Sequence, residues 1–488
     1  MSRVGARRTL AIALMASLML VPWPWGLAAL GAVAAARLGF AVTRQARRWA
    51  RRRVEPETIV LGRERSGGRV GLTDRQLEAH ALIVGASGAG KTTTLETILA
   101  QQIARGRPVV AIDMKGSPAF ASALAVAARD AGRELGVFAP EGATRWNPLA
   151  HGGPTALKDM LMSAERFSEP HYQRAAERYL QAALTVLGAV HPERPPALSE
   201  VVDLMTPARL AAYARRAPAP LARRVSDYVA SLPGDQANAA AGLGTRLALL
   251  SESVAGPLLE PASTAAGSGG TEIDLAGALD GGDVVLFSLN SSTYGKLASQ
   301  LGALAIQALT SAAGRRLQAG GSAPAPATVA LDEFSALGAD NVLSLLARGR
   351  EAGISVLLAT QELSDLERAA PGFRDQVLGI TALKLVHRQE VDASAVAISS
   401  LAGTEPAWRE TRQLPALGGG RGLASRGSRS EIERPVVHPN EIKRLSTGQL
   451  VLLSNVPTPR VARTRVQRAA AGPRRAAAAD VPDRSRGA

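Results

Sequence analysis

The chain has 488 residues, which is enough for two or three domains and a large hydrophobic core. It contains no cysteine, and this excludes disulfides and thiolate metal sites. Two histidines three or four residues apart would lie on one helix face as a pair of metal ligands, but no two of its six histidines have this spacing. A metal enzyme and a relaxase built on a histidine cluster are therefore disfavoured.

The net charge of +15 lies at the two ends of the chain. Residues 1–55 hold ten arginines against one acidic residue, and residues 459–488 hold eight arginines against two aspartates. The residues between them, 56–458, are neutral as a whole. The overall charge is therefore no evidence that the body of the protein binds nucleic acid.

An apolar segment near the N-terminus predicts a membrane anchor over residues 1–55. From Thr9 to Val42 the only charged residue is Arg37, and the sequence PWPWG at 22–26 interrupts the segment. Arginines flank both sides, which favours a hairpin of two transmembrane helices in the inner or plasma membrane, with both ends and the rest of the chain cytoplasmic. The alternatives are one span with an interfacial leg, and a cleaved signal peptide.

The phosphate-binding pattern G-x-x-x-x-G-K-[ST] follows a predicted buried strand, Ala81–Val84, and opens a predicted helix, Thr92–Ala104. Glycines at this spacing let backbone N–H groups converge on phosphates at a helix N-terminus. Lys91 is expected to reach the β and γ phosphates of ATP or GTP, and the Thr92 hydroxyl to bind Mg²⁺. The predicted nucleotide-binding residues are Gly85, Ala86, Ser87, Gly88, Ala89, Gly90, Lys91, Thr92 and Thr93.

Strand and helix signals divide the rest of the chain into three parts. A strand at 108–113 completes a βαβ unit, strand signals vanish from about 150 to 260, and strands return at 283–288, 328–331 and 354–359. This pattern predicts an α/β fold, a P-loop NTPase with a RecA-like, mainly parallel sheet and an all-helical insert. The predicted boundaries are 56–149 for the first part of the nucleotide-binding domain, 150–260 for the insert and 261–458 for the second part, followed by a disordered basic tail at 459–488.

Two strand ends carry residues that complement the phosphate loop. The strand at 328–331 leads into Asp332 and Glu333, the Walker B pattern. Asp332 is expected to hold the Mg²⁺ shell, and Glu333 to orient and polarise the attacking water. The strand at 354–359 leads into Gln361, whose amide is suited to sensing the γ-phosphate, although it could simply satisfy a strand end.

These residues resemble the coupling proteins of conjugation and type IV secretion, the TraG and TraD type, within the FtsK/HerA group of P-loop ATPases. The resemblance covers most of residues 1–458. It rests on the basic membrane hairpin and on five motifs: HALIVG at 80–85, DMKG at 113–116, NPL at 147–149, DEFSALG at 332–338 and LARGREAG at 346–353. By this resemblance Arg350 matches an arginine finger that completes a neighbouring subunit's site; otherwise it is a solvated arginine on a helix.

The resemblance implies a membrane-anchored motor ATPase, with ATP and Mg²⁺ as its cofactors, that assembles as a homo-hexamer. It would couple ATP hydrolysis to the transfer of DNA, or of a DNA–protein complex, through a conjugation channel. The implied partners are DNA, a relaxase or other relaxosome proteins, and the membrane proteins of the secretion channel. Two alternatives remain: a DNA translocase of the FtsK/HerA type, and a secretion ATPase that recruits protein effectors and does not bind DNA.

Overall fold

The structure is a computed structural model that describes residues 59–467 except 65, 166, 168, 262–270, 319–324 and 413–426. The predicted membrane anchor at 1–55 and residues 468–488 of the basic tail lie outside the described residues. Within the described ranges, no helix has both the length and the apolar character needed to cross a membrane.

The centre of the fold is an 11-stranded sheet with the order β2-β1-β13-β12-β9-β3-β8-β7-β4-β6-β5, and β10 and β11 form a separate antiparallel pair. The strands are β1 (Ile59–Arg63), β2 (Arg69–Leu72), β3 (Ala81–Val84), β4 (Val109–Asp113), β5 (Leu135–Phe138), β6 (Val284–Ser288), β7 (Ala327–Asp332), β8 (Ile354–Thr360), β9 (Leu383–Val386), β10 (Thr404–Arg412), β11 (Gly427–Pro435), β12 (Gln449–Ser454) and β13 (Arg460–Val466).

The seven strands from β9 to β5 are parallel, and β12, β13, β1 and β2 extend one edge in antiparallel pairs. The central parallel strands β3, β4, β7 and β8 are buried along their whole length and are rich in apolar and β-branched residues, as expected where helices cover both faces. The predicted α/β fold with a mainly parallel sheet is confirmed.

Helices connect the strands and cover both faces of the sheet. They are α1 (Asp74–Glu78), α2 (Lys91–Ala104), α3 (Pro118–Asp130), α4 (Pro154–Ser163), α5 (Pro170–Val190), α6 (Leu198–Leu204), α7 (Pro207–Ala214), α8 (Ala219–Ala230), α9 (Gly234–Ser251), α10 (Leu275–Gly281), α11 (Ser291–Gln318), α12 (Ala339–Gly349), α13 (Leu363–Ala369), α14 (Phe373–Ile380), α15 (Asp392–Ala402) and α16 (Pro439–Lys443).

Two hydrophobic cores lie on opposite faces of the sheet, because successive strand residues point to opposite sides. On β3, Ile83 packs into the core that α1, α2 and α3 cover, and Leu82 into the core that the other helices share. Between β5 and β6 the described regular elements are helices, α4 to α10 with one short 3₁₀ turn, and α5 to α9 belong to the second core. The insert therefore adds to one core without interrupting the sheet.

The end of the sheet corrects one expectation about the tail. Arg460–Val466, which the sequence places in a disordered tail starting at 459, forms β13 and pairs with both β12 and β1. Small side chains at Ala462 and Thr464 face the core, while three arginines point outward. The composition of this segment resembles that of a disordered basic tail, because its inward residues are small and its outward residues are arginines.

Candidate nucleotide-binding site

The predicted site residues other than Arg350 meet at the carboxyl ends of three parallel strands. The P-loop at 85–92 follows β3, Asp332 ends β7 and Gln361 follows β8. The strand order β3-β8-β7-β4 makes these ends neighbours, although they are distant in sequence. Open α/β sheets bind their ligands at this edge.

The P-loop needs its glycines because of its backbone path and its close contacts. Gly88 and Gly90 have φ angles of 70° and 114°, in the region that disfavours residues with a Cβ. A Cβ on Gly90 would also lie 3.0 Å from the Gly448 Cα. Helix α2 begins at Lys91 and has no side-chain cap in the described structure, so its first N–H groups are available to phosphate oxygens.

His387 holds the P-loop against the sheet, and no motif in the sequence identifies it. Its Nδ1 donates to the Gln449 carbonyl oxygen and its Nε2 accepts from the Thr94 hydroxyl, each at 2.9 Å. Burial lowers the pKa of His387 to about 4, which keeps the imidazole neutral near pH 7. A Cβ on Gly85 would lie 2.5 Å from the His387 Cβ, so this histidine requires the first glycine of the motif.

Lys91 lies inside the P-loop that it belongs to. Its Nζ donates to the carbonyl oxygens of Gly85 and Ala86, at 2.6 and 3.3 Å. Burial lowers the pKa of Lys91, and the positive charge of Lys115 lowers it further. Negative phosphate oxygens would favour its charged form, as expected for the lysine of a phosphate-binding loop.

Asp332 has the properties expected of a magnesium-shell residue. Burial raises its pKa to about 6, and the carboxylates of Glu333 and Asp113 add to the rise. Its Oδ1 is buried without a hydrogen-bond partner. Native structures rarely leave a buried carboxylate oxygen unpaired, and Mg²⁺ prefers carboxylate and hydroxyl oxygens. The free Oδ1 of Asp332 and the hydroxyl of Thr92 therefore fit the predicted ion.

Glu333 and Gln361 are joined directly. The Gln361 Nε2 donates to the Glu333 Oε1 at 2.8 Å, while the Glu333 backbone N–H donates to the Ala359 carbonyl oxygen at 2.9 Å. Glu333 has a φ of 57°, an uncommon conformation for a residue with a Cβ and one that recurs at active sites. The backbone turn after β7 thus sends two consecutive carboxylates into the cleft.

Lys115 also belongs to the site, although it is not among the site residues that the sequence predicts. It follows β4, the neighbour of β7, and its Nζ lies 2.6 Å from the Glu333 Oε1 and 4.0 Å from the Asp332 Oδ2. The available signal was the DMKG motif at 113–116, which places a charged side chain just beyond a predicted strand.

Arg350 lies at the other edge of the sheet. Helix α12 starts beyond the carboxyl end of β7 and returns to the amino end of β8, so Arg350, exposed just after the helix, lies at the amino ends of the strands. The seven residues of β8 span ~20 Å. An arginine side chain cannot cross that distance, so Arg350 cannot contact the P-loop of its own subunit.

His80 ties the start of β3 to the helix that precedes Arg350. Its Nδ1 accepts from the Val356 N–H at 3.1 Å, and its Nε2 donates to the Leu346 carbonyl oxygen at 2.9 Å. Burial lowers the pKa of His80 to about 4, so the imidazole is neutral near pH 7. Gly349 packs on this imidazole, where a Cβ would lie 3.5 Å from its Cε1.

Two family models match the sequence. Residues 64–194 match the DNA-binding domain of type IV secretion-system coupling proteins, and residues 326–447 match the TraM recognition site of TraD and TraG. The chain belongs to the TraG/TraD-type coupling proteins of type IV secretion systems. The two matches contain the P-loop and the Walker B residues, respectively. A search of curated protein sequences found no significant match.

Solved structures of the conjugative coupling protein TrwB and of VirB4 share the fold. The unbound conjugative coupling protein TrwB is 14% identical with a TM-score of 0.61, over 85% of this chain and 89% of that one. TrwB with the non-hydrolysable ATP analogue ADPNP is 15% identical with a TM-score of 0.59, over 85% and 90%. VirB4 of Thermoanaerobacter pseudethanolicus is 14% identical with a TM-score of 0.54, over 85% and 97%. The fold of this coupling protein is therefore that of a P-loop ATPase.

Proposed function

We propose that this coupling protein is a motor ATPase that binds ATP with Mg²⁺ and uses its hydrolysis to transfer DNA, or a DNA–protein complex, through a type IV secretion channel. The observation that carries the proposal is the meeting of Lys91, Asp332, Glu333 and Gln361 at one sheet edge. Solved structures of TrwB in complex with ADPNP, and with ADP and Mg²⁺, support the choice of nucleotide and ion.

Each side chain has one task in this proposal. The P-loop N–H groups and Lys91 bind the phosphates, and Thr92 and Asp332 would hold Mg²⁺, which neutralises charge on the phosphate oxygens when bound. Glu333 takes the proton of the attacking water, because its carboxylate is aimed into the cleft by the backbone turn after β7. Gln361 keeps that carboxylate in position through its hydrogen bond.

The position of Arg350 supports a ring of subunits. Because it lies a strand length from its own P-loop, it can supply transition-state charge only to the site of another subunit. Closed rings have head-to-tail contacts of this kind, in which one face of a subunit meets a different face of the next. The proposed assembly is a homo-hexamer.

The two family matches favour DNA and relaxosome proteins as partners. One match is to a DNA-binding domain and the other to a recognition site for TraM. On this basis a relaxase and the channel's membrane proteins are proposed as further partners. The FtsK/HerA-type translocase and the protein-recruiting ATPase are the competing functions.

ATP hydrolysis by the full chain is expected to rise several-fold when DNA is added. Because phosphate contacts dominate nucleic-acid binding, the stimulation should fall as salt is increased. The Lys91→Ala protein is the control and should stay at background with or without DNA. Wild-type hydrolysis that ignores every DNA tested would instead favour the protein-recruiting ATPase.

The membrane anchor is the remaining part of the proposal, and the sequence of residues 1–55 supports it. We expect topology reporters fused at residue 2 and at residue 56 to report cytoplasm in both positions, because arginines flank both sides of the apolar segment. An extracytoplasmic signal at residue 2 would replace the hairpin with a single span. The proposed location is the inner or plasma membrane with the ATPase domain in the cytoplasm.

A further inference from the structure

Lys115 forms an ion pair with Glu333, and the proposed reaction assigns no role to this pair. Its Nζ lies 2.6 Å from the Glu333 Oε1, the same oxygen that accepts from Gln361. A carboxylate that takes a proton from water works best without a cation bound to it, because an ion pair lowers its basicity. The contact therefore places a cation on the Glu333 oxygen before any nucleotide is bound.

The backbone under Lys115 is fixed, while its side chain is not enclosed. Both oxygens of Asp113 accept backbone N–H groups, from Lys115 at 2.9 Å and from Ser117 at 2.6 Å. Gly116 has a φ of 65° and packs so closely that a Cβ would lie 2.6 Å from the Asn290 Cβ. The Lys115 side chain is 40% exposed, against 3% for Asp332. Movement here is thus limited to the side-chain torsions.

The charges around the cleft show which ligand would draw Lys115 away. Burial alone would lower the pKa of Lys115, but the nearby carboxylates of Asp332, Glu333 and Asp113 raise it, so the ammonium stays charged. Its charge in turn lowers the pKa of Lys91. Lys91 follows β3 and Lys115 follows β4, so both cations lie at the carboxyl edge of the sheet where Glu333 also lies. A group that binds between two lysines and repels Glu333 must itself be anionic. The terminal phosphate of a nucleoside triphosphate meets both conditions.

We propose that Lys115 is a γ-phosphate sensor: it is paired with Glu333 when no triphosphate is bound, and it moves to the γ-phosphate when a triphosphate enters. The exchange frees Glu333 only in the presence of the bond to be broken. A diphosphate leaves the Lys115–Glu333 pair in place, so the site distinguishes ATP from ADP. This inference rests on the proposed ATPase function.

The test measures the affinities of the full chain for ADPNP and for ADP by titration calorimetry. Lys115→Met removes the charge at similar length and Lys115→Arg retains it. Lys443→Met is the matched control, because Lys443 also pairs with a carboxylate, that of Asp392, but on α16. Thermal unfolding of each variant establishes that it is folded.

Lys115→Met is expected to weaken ADPNP binding by about tenfold or more and to leave ADP binding unchanged, since a charge-assisted hydrogen bond is lost only with the triphosphate. Lys115→Arg should restore most of the preference, and Lys443→Met should behave as wild type. If Lys115→Met binds both nucleotides as wild type does, the proposal is overturned and Lys115 only positions Glu333. A wild-type chain that binds neither nucleotide would instead contradict the ATPase function itself.

A double-mutant cycle with Glu333→Gln gives a second reading. Glutamine cannot form the ion pair, so Lys115 would be free in advance, and ADPNP should bind more tightly than to wild type. The gain should be smaller when Lys115→Met is also present, because without the Lys115 ammonium Glu333 no longer competes with the γ-phosphate for it. Equal gains in both backgrounds would mean that Lys115 and Glu333 act independently, which contradicts the exchange.

Discussion

ATP hydrolysis is expected to fall by ~10² to 10⁴-fold in the Glu333→Gln protein while ATP still binds. Glutamine retains the shape of the side chain and can still meet Gln361, but it cannot take a proton from water. The αL backbone of Glu333 fixes where the side chain points, so no neighbouring carboxylate replaces it easily. Steady-state hydrolysis and nucleotide titration on the same preparation measure the two effects.

Glu134→Gln is the matched control for this prediction, because Glu134 is exposed on the surface of the domain. It should hydrolyse ATP as wild type does. Near-normal turnover in the Glu333→Gln protein would remove Glu333 from the catalytic role, and loss of ATP binding would show that the substitution disturbs the site itself.

Arg350→Ala is expected to reduce hydrolysis by ~10³-fold or more, the range that a finger supplied by another subunit contributes. Its own P-loop is out of reach, so the loss must arise at a neighbour's site. Mixing Arg350→Ala with Lys91→Ala should then restore part of the activity, because some interfaces combine an intact Lys91 with an intact Arg350. Hydrolysis measured across mixing ratios gives the recovery.

Arg348→Ala provides the control, since Arg348 is exposed near the end of the same helix. It should keep most of its activity and should not be needed for recovery in the mixture. Assembly of the mixed subunits into one ring must be established first, by cross-linking or mass measurement. Mixed rings without recovery at any ratio would return Arg350 to the role of a surface arginine.

The sequence predicts those parts of the site in which a single short motif identifies both the strand and the functional side chain at its end. Lys91 and Asp332 each follow or end an apolar strand with a recognisable motif, and the structure places both at the same sheet edge. The mainly parallel sheet follows from the same strands, which alternate with helices. The roles of Glu333, Gln361 and Arg350 stay predictions, with positions that suit them.

Other features depend on contacts that no local pattern contains. Lys115 acts on Glu333 across 218 positions of sequence, and only the strand order β7-β4 brings the two together. His387 lies 293 positions from Thr94, whose hydroxyl donates a hydrogen bond to its imidazole. β13 is hidden for another reason: its arginines dominate the composition, although its small residues face the core.

The neutral His80 gives each subunit a mechanical property. It bonds the start of the strand that ends in the P-loop to the end of the helix that leads to Arg350, with Gly349 packed on its imidazole. Because these contacts are short and buried, a displacement of that strand would also displace the end of the helix and, with it, Arg350. In the proposed ring, nucleotide binding at one P-loop would shift the Arg350 that serves the next subunit's site. Because each subunit contacts its two neighbours through different faces, this coupling would run around the ring in a single direction.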